Sequence, residues 1–158
     1  MAVRVQEQDF DAGAEMSRLR ASRADVGAVA SFVGVVRDSN DGASVGSMTL
    51  EHYPGMTEKS IQAIIDQAKE RWKIFDALVI HRVGELKPRD QIVLVAVTGS
   101  HRGEAFAACE FIMDFLKTRA PFWKKEMTPA GPRWVEARAT DDTAAARWDD
   151  ARPREPEA

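Results

Sequence analysis

Apolar positions along the chain change their period several times, and each change marks an element. After Val26 the run GAVASFVGVV is small and β-branched with no helical period, and it meets the turn cluster Arg37 to Gly42, which predicts a strand followed by a loop. Val45 to Tyr53 reads as a second strand ended by Pro54 and Gly55, and the two strands are expected to pair as a hairpin with a long tip. Thr57 is the expected N-cap of a helix on which Ile61, Ile64, Ile65, Ala68 and Trp72 form one apolar stripe. Leu78 to Leu86 and Ile92 to Thr98 are strand-like runs around the turn Lys87-Pro88-Arg89-Asp90, a second hairpin. Ser100 is the expected cap of a second main helix, whose stripe Ala105, Phe106, Cys109, Ile112, Met113 and Leu116 is widened by Phe111 and Phe115, so it should be largely buried. Pro121 halts it. Trp123 to Thr128, the turn Pro129 to Pro132 and Arg133 to Ala139 predict a third hairpin, and Thr140 to Trp148 a short helix. The first 25 residues alternate charged and apolar side chains, and no element is predicted there.

Hairpins interrupted by two main helices do not alternate strand and helix regularly, so the expected class is α+β with mixed or antiparallel hairpins. At 158 residues the chain suits one domain, expected over residues 1–148, while the charged, Pro-containing stretch 149–158 has no apolar anchor and predicts a disordered tail. The formal net charge of −3 gives no global attraction to nucleic acid or to an anionic membrane, so any anion site must be local. Cys109 is the single cysteine, which excludes an internal disulfide and suits a reducing, cytoplasmic compartment; with three histidines at no ligand spacing, no metal is expected. No run is long and apolar enough for a membrane span or a secretory leader.

Against this background the cations that cluster stand out. His101 and Arg102 fall in the first turn of the second main helix, where the dipole disfavours positive charge; either they reach solvent, or an anion bound at the helix start neutralises them. Of the basic residues only seven are Lys, yet three of these lie between Lys117 and Lys125, beside Phe122 and Trp123. Basic residues at a helix C-terminus can serve the dipole alone; alternatively Pro121 turns the chain so that Lys117 and Lys124 converge in a partly desolvated cleft, where a lysine can act as general acid, base or nucleophile. Arg37 ends an apolar strand and opens a loop, a position that fits either a solvated arginine or a functional one on a rigid support. Cys109 lies mid-helix on the apolar stripe and reads as an inert core thiol, and His52 and His81 read as hydrogen-bonded sheet residues. The residues alone therefore point to a cationic pocket of Arg37, His101, Arg102, Lys117 and Lys124 that takes an anionic small ligand, with no GxGxxG and no P-loop.

The same residues carry a family resemblance. FVGVVR at Phe32 to Arg37, LEHYPGMTEK at Leu50 to Lys59, IHRVGEL at Ile80 to Leu86, SHR at Ser100 to Arg102 and FIMDFLKTRAPFWK at Phe111 to Lys124 together resemble the large, catalytic subunit of molybdopterin synthase, the MoaE family. The resemblance implies an α/β-hammerhead fold and a homodimer of large subunits. One small ubiquitin-like sulfur-carrier subunit would bind at each outer end, a heterotetramer overall. It implies a sulfurtransferase of molybdenum cofactor biosynthesis: cyclic pyranopterin monophosphate receives two sulfur atoms from the thiocarboxylated C-terminus of the small subunit, giving the dithiolene of molybdopterin. No cofactor is implied, and the sulfur arrives on the partner, so no cysteine of this chain is needed. By the same resemblance Lys117 is the catalytic lysine and Lys124 a second pocket lysine, while Arg37, His101, Arg102 and Arg138 belong to the anionic substrate. The alternative is a non-catalytic module that binds an anionic metabolite or the partner's C-terminal tail.

Overall fold

A computed structural model describes residues 2–40, 43–135, 146 and 148. In chain order the elements are β1 (Val3–Gln6), α1 (Ala12–Ala21), β2 (Ala28–Val35), β3 (Ser39–Asn40), β4 (Ala43–Ser44), β5 (Ser47–His52), α2 (Met56–Arg71), β6 (Ile74–Arg82), β7 (Gly84–Leu86), β8 (Gln91–Gly99), α3 (Arg102–Thr118), β9 (Phe122–Thr128) and β10 (Gly131–Val135). One sheet runs β1-β6-β8-β2, antiparallel except that β1 lies parallel to β6. A second, wholly antiparallel sheet runs β10-β9-β5-β7, and β3 with β4 makes a small ribbon between the two in sequence. The mixed α+β class is as expected.

The first sheet is covered on both faces, and the side-chain alternation of its strands shows why. Leu78 and Ile80 of β6 and Leu94 and Ala96 of β8 pack with Phe10 against Ala12, Met16 and Leu19 of α1. Ala77 and Val79 of β6 and Val93, Val95 and Val97 of β8 face Ile61, Ile65, Ala105, Ile112 and their neighbours on α2 and α3. A strand buried on both faces reads as a continuous apolar run, and both runs do.

Three expectations about these elements need correction. The strands β2 and β5 exist but do not pair with each other: β2 pairs with β8 in the first sheet and β5 with β9 and β7 in the second. Apolar pattern marks a strand and its buried face, whereas the partner is chosen by which sheet can bury that face. The run Leu78 to Leu86 is likewise divided. Gly84, at a φ of 84°, turns β7 out of the first sheet into the second, and a Cβ there would sit 3.1 Å from the Glu7 carboxylate. The N-terminal segment, where no element was expected, supplies an edge strand and α1. The Asp11 side chain caps α1 by accepting from the Ala14 N–H at 3.0 Å. Glu15 of α1 is buried between Arg4 and Arg18; burial opposes its charge, but the hydrogen bonds from both guanidinium groups outweigh it and hold its carboxyl below the usual range.

The helix starts also shift. Gly55, at a φ of 84°, is the N-cap of α2, and the Glu58 carboxylate accepts its N–H at 2.6 Å. Thr57 is the second residue of α2 and fully buried; its hydroxyl accepts from the Tyr53 N–H at 3.0 Å and faces the carbonyls of Tyr53 and Pro121, tying the start of α2 to the start of β9. His101, not Ser100, caps α3, without a side-chain hydrogen bond. Phe106, expected on the buried stripe, is 63 % exposed, because it falls on the face shared with Glu110 and Lys117, away from Ala105 and Cys109. The third hairpin forms as expected; of the second, β6 and β8 do pair antiparallel, but the turn Lys87 to Asp90 joins β8 to β7, which pairs with β5 in the other sheet. The Asp90 carboxylate accepts from the Lys87 N–H at 2.9 Å, and β9 meets β10 through Pro129 and Ala130. The expected helix from Thr140, the end of the third hairpin beyond Val135 and the tail 149–158 lie outside the described residues apart from Ala146 and Trp148.

Candidate active site

Between the two sheets and the C-terminal end of α3 lies a cavity of about 480 Å³ whose wall includes Arg37, His81, Lys117, Lys124 and Glu126. Each side chain arrives there for a local reason. Alternation along β9 turns Phe122, Lys124 and Glu126 toward the cavity and leaves Trp123 and Met127 exposed on the opposite face. Lys117 stands in the last turn of α3, where the helix dipole favours a cation. Arg37 follows Val36, whose backbone is held by the 2.9 Å hydrogen bonds of Val36 N–H to the Asp90 carbonyl and Arg89 N–H to the Val36 carbonyl. A long, flexible arginine side chain thus springs from a rigid point, and three cations share one concave wall with apolar side chains that include Met113 and Leu116.

The structure does not gather every expected residue. His101 and Arg102 cap and open α3, whereas Lys117 lies near its other end, fifteen residues on, or about 22 Å along the axis at 1.5 Å per residue. They are exposed and absent from the cavity wall, so the five-cation pocket expected from sequence is not assembled within one chain. Lys117 and Lys124 do share the cavity wall, Lys124 half-buried and Lys117 exposed. Arg138 lies outside the described residues.

Two wall residues escaped the sequence reading. His81, taken there as a sheet residue, is in β6 but also in the cavity wall, 7 % exposed, with its ring stacked on Phe122 at 3.8 Å. Glu126, 3 % exposed, has a carboxylate oxygen 3.6 Å from the Arg133 guanidinium. The available signal for Glu126 was its place two residues after Lys124 on the same strand face. For His81 there was none, because the second sheet that brings Phe122 over it is assembled by the tertiary fold. The remaining histidine, His52, ends β5 with Nε2 3.8 Å from the Glu58 carboxylate.

A family model described as MoaE protein matches residues 5–119. The chain belongs to the MoaE family. A protein named molybdopterin synthase catalytic subunit from Ralstonia nicotianae is 68% identical over 146 residues, covering 92% of this chain and 83% of that relative. A solved MoaE structure from Burkholderia ambifaria aligns with a TM-score of 0.80 at 59% identity, covering 94% of this chain and 98% of the other. A complex of subunits 1 and 2 of molybdopterin-converting factor from Helicobacter pylori shares the fold, with a TM-score of 0.72 at 18% identity over 87% of this chain and 92% of that one.

In this MoaE chain the single thiol is remote from chemistry. Cys109 is buried on α3 with Sγ 4.0 Å from the Val95 carbonyl, and burial, aided by the charge of Glu110, pushes its pKa up to about 11. At pH 8 about one thiol in a thousand is then a thiolate. Native protein is expected to resist iodoacetamide and the unfolded chain to react, and Cys109→Ala is expected to keep its turnover within about twofold. Rapid labelling of the native thiol, detected by intact mass, would contradict the burial. Among the described residues no three His, Cys, Asp or Glu side chains gather as a metal site requires, and no helix is long and apolar enough to cross a membrane.

Proposed function

We propose that this chain is the catalytic subunit of a molybdopterin synthase, and that its cavity is where cyclic pyranopterin monophosphate takes up two sulfur atoms from the thiocarboxylated C-terminus of a small ubiquitin-like partner. The observation that carries this reading is the convergence of Arg37, Lys117 and Lys124 on one wall, each from a different part of the fold. Both reactants are anionic: a phosphate on the pterin and a thiocarboxylate on the tail. A guanidinium suits the phosphate through its fork of donors, and ammonium groups suit charge that moves during transfer. Lys117, at the exposed mouth, is the group positioned to move a proton where the tail enters, and Lys124, deeper on β9, to hold developing negative charge.

On this reading the assembly is a homodimer of large subunits with one small subunit at each outer end, working in the cytoplasm. His101 and Arg102 then serve the substrate only in the cavity of a neighbouring copy, since the length of α3 separates them from Lys117 in their own chain. Arg138 belongs to the same phosphate-facing set.

The test is a single turnover: this chain, a thiocarboxylated small subunit and cyclic pyranopterin monophosphate, followed by mass spectrometry. Product bearing two added sulfurs is the expected result. A stable complex of the two subunits that leaves the pterin unchanged would overturn catalysis and identify a binding module.

A further inference from the structure

His81 is held as few cavity-wall side chains are. Its strand, β6, is paired on both sides, with Val93 of β8 and Val5 of β1 as its register partners, so its backbone cannot shift without breaking the sheet. Nδ1 lies 2.8 Å from the Arg82 carbonyl, and a carbonyl can only accept, so Nδ1 carries the proton and Nε2 presents a lone pair. The Phe122 ring stacks on the imidazole at 3.8 Å with 18° between planes, which fixes the remaining rotation. Among the described residues no group hydrogen-bonds Nε2, while the ring lines the same cavity as Lys117 and Lys124.

We propose that His81 is a substrate-binding residue, whose Nε2 accepts a hydrogen bond from an N–H of the pterin bound between it and the two lysines. This inference rests on the molybdopterin synthase reading of the site. Arg37, Lys117 and Lys124 offer the cavity donors only, and the Glu126 carboxylate on its wall faces the Arg133 guanidinium at 3.6 Å, whereas His81 Nε2 gives the wall a neutral side-chain acceptor for an N–H of a pterin. A buried acceptor meets that need and rejects a ring that presents an acceptor at the same place, the asymmetry by which polar sites discriminate best. A neutral nitrogen also leaves intact the positive field that the phosphate requires, which a second carboxylate beside Glu126 would not. The ring stays neutral: burial lowers its pKa to about 3 against the opposing hydrogen bond to Arg82, and the charges of Lys117 on α3, Lys124 on β9 and His52 on β5 push the same way as burial.

The experiment measures binding of two probes, cyclic pyranopterin monophosphate and inorganic pyrophosphate, by calorimetry with the wild-type chain in complex with its small subunit, and with His81→Asn and His81→Gln in the same complex. Asparagine keeps a donor for the Arg82 carbonyl and loses the acceptor at Nε2; glutamine carries an acceptor to about the position of Nε2. His81→Asn is expected to weaken the pterin about tenfold, to raise the half-saturating pterin concentration in single turnover equally with the plateau rate within about twofold, and to leave pyrophosphate binding unchanged. His81→Gln is expected to restore most of the pterin affinity. Equal weakening of both probes, or unchanged pterin affinity in His81→Asn, would overturn the assignment while leaving the sulfur-transfer reading in place. Failure of the wild type to bind the pterin at all would overturn both. If His81→Asn does not fold, His81→Phe, which keeps the stack and removes both nitrogens, must show the same loss for pterin alone.

Discussion

Lys117→Ala is expected to lower single-turnover sulfur transfer by a factor of about 10² to 10⁴, the range a positioned proton-transfer group contributes, with the complex with the small subunit still formed. The magnitude follows from where the lysine stands. It is the cavity's cation at the exposed end of α3, on a turn already anchored by the 2.8 Å hydrogen bond from the Arg119 N–H to the Phe115 carbonyl. Truncating an exposed side chain leaves the buried face of α3 intact, so the fold is expected to remain within about 0.5 kcal/mol of wild type. Lys124→Ala differs in kind: its side chain is half-buried on a strand paired on both sides, so its loss of rate is expected to come with some loss of stability. Rapid-quench kinetics with mass detection, alongside thermal melts, separates the two. A Lys117→Ala protein with the wild-type rate would remove the lysine from the chemistry and leave the family assignment untouched.

The largest stability loss is expected at Phe111, whose substitution by alanine should cost about 3 to 5 kcal/mol. Phe111 is fully buried on α3, and aromatic rings surround it: Trp72 with centroids 5.4 Å away, Phe115 at 4.8 Å and Trp148 at 5.5 Å, while the Arg71 guanidinium lies 4.5 Å over its face. Trp148 in turn donates its indole N–H to the Asp114 carboxylate at 2.6 Å and accepts at its carbonyl from Arg71 at 2.8 Å. Removing the central ring therefore opens a cavity and loosens the joint between α2, α3 and Trp148 at once. Three large rings that lose their common neighbour cannot collapse into the space without leaving their rotamers, which places the cost at the upper end for such changes. Urea unfolding followed by tryptophan fluorescence reads it directly; a loss under about 1 kcal/mol would show that the cluster repacks.

The same cluster illustrates what periodicity can and cannot reveal. The spacing of Phe111, Ile112, Phe115 and Leu116 was enough to mark a helix with a wide buried face, and the helix is there with that face inward. Phe106 broke the rule because apolar character alone does not say which edge of the stripe meets a neighbour, and α3 leaves that edge uncovered. The N-terminal elements went unread because α1 offers the core only Ala12, Met16 and Leu19, too few contacts to leave a strong 3.6-residue signal.

For the site, Arg37 and Lys117 were legible because each stands at the end of a well-marked element, next to Val36 or Leu116, where a charge has to face water or a ligand, and Lys124 because it lies in the stretch where lysines gather beside Phe122 and Trp123. Their roles came from resemblance and not from spacing. His101 and Arg102 do not join them within one chain, because they stand at the opposite end of the 17-residue helix α3 from Lys117.

The main strands and the two main helices after Val26, the β9–β10 hairpin, the buried faces of α2 and α3 and the inert core thiol were determined by local chemistry, which a linear sequence contains. Which strands share a sheet, the turn at Gly84 that hands β7 to the second sheet, and the stacking of Phe122 on His81 were decided only by tertiary structure. These depend on contacts between residues far apart in the chain. Periodicity states that a face must be buried, whereas the partner that buries it is selected by competition among all the faces the whole chain presents.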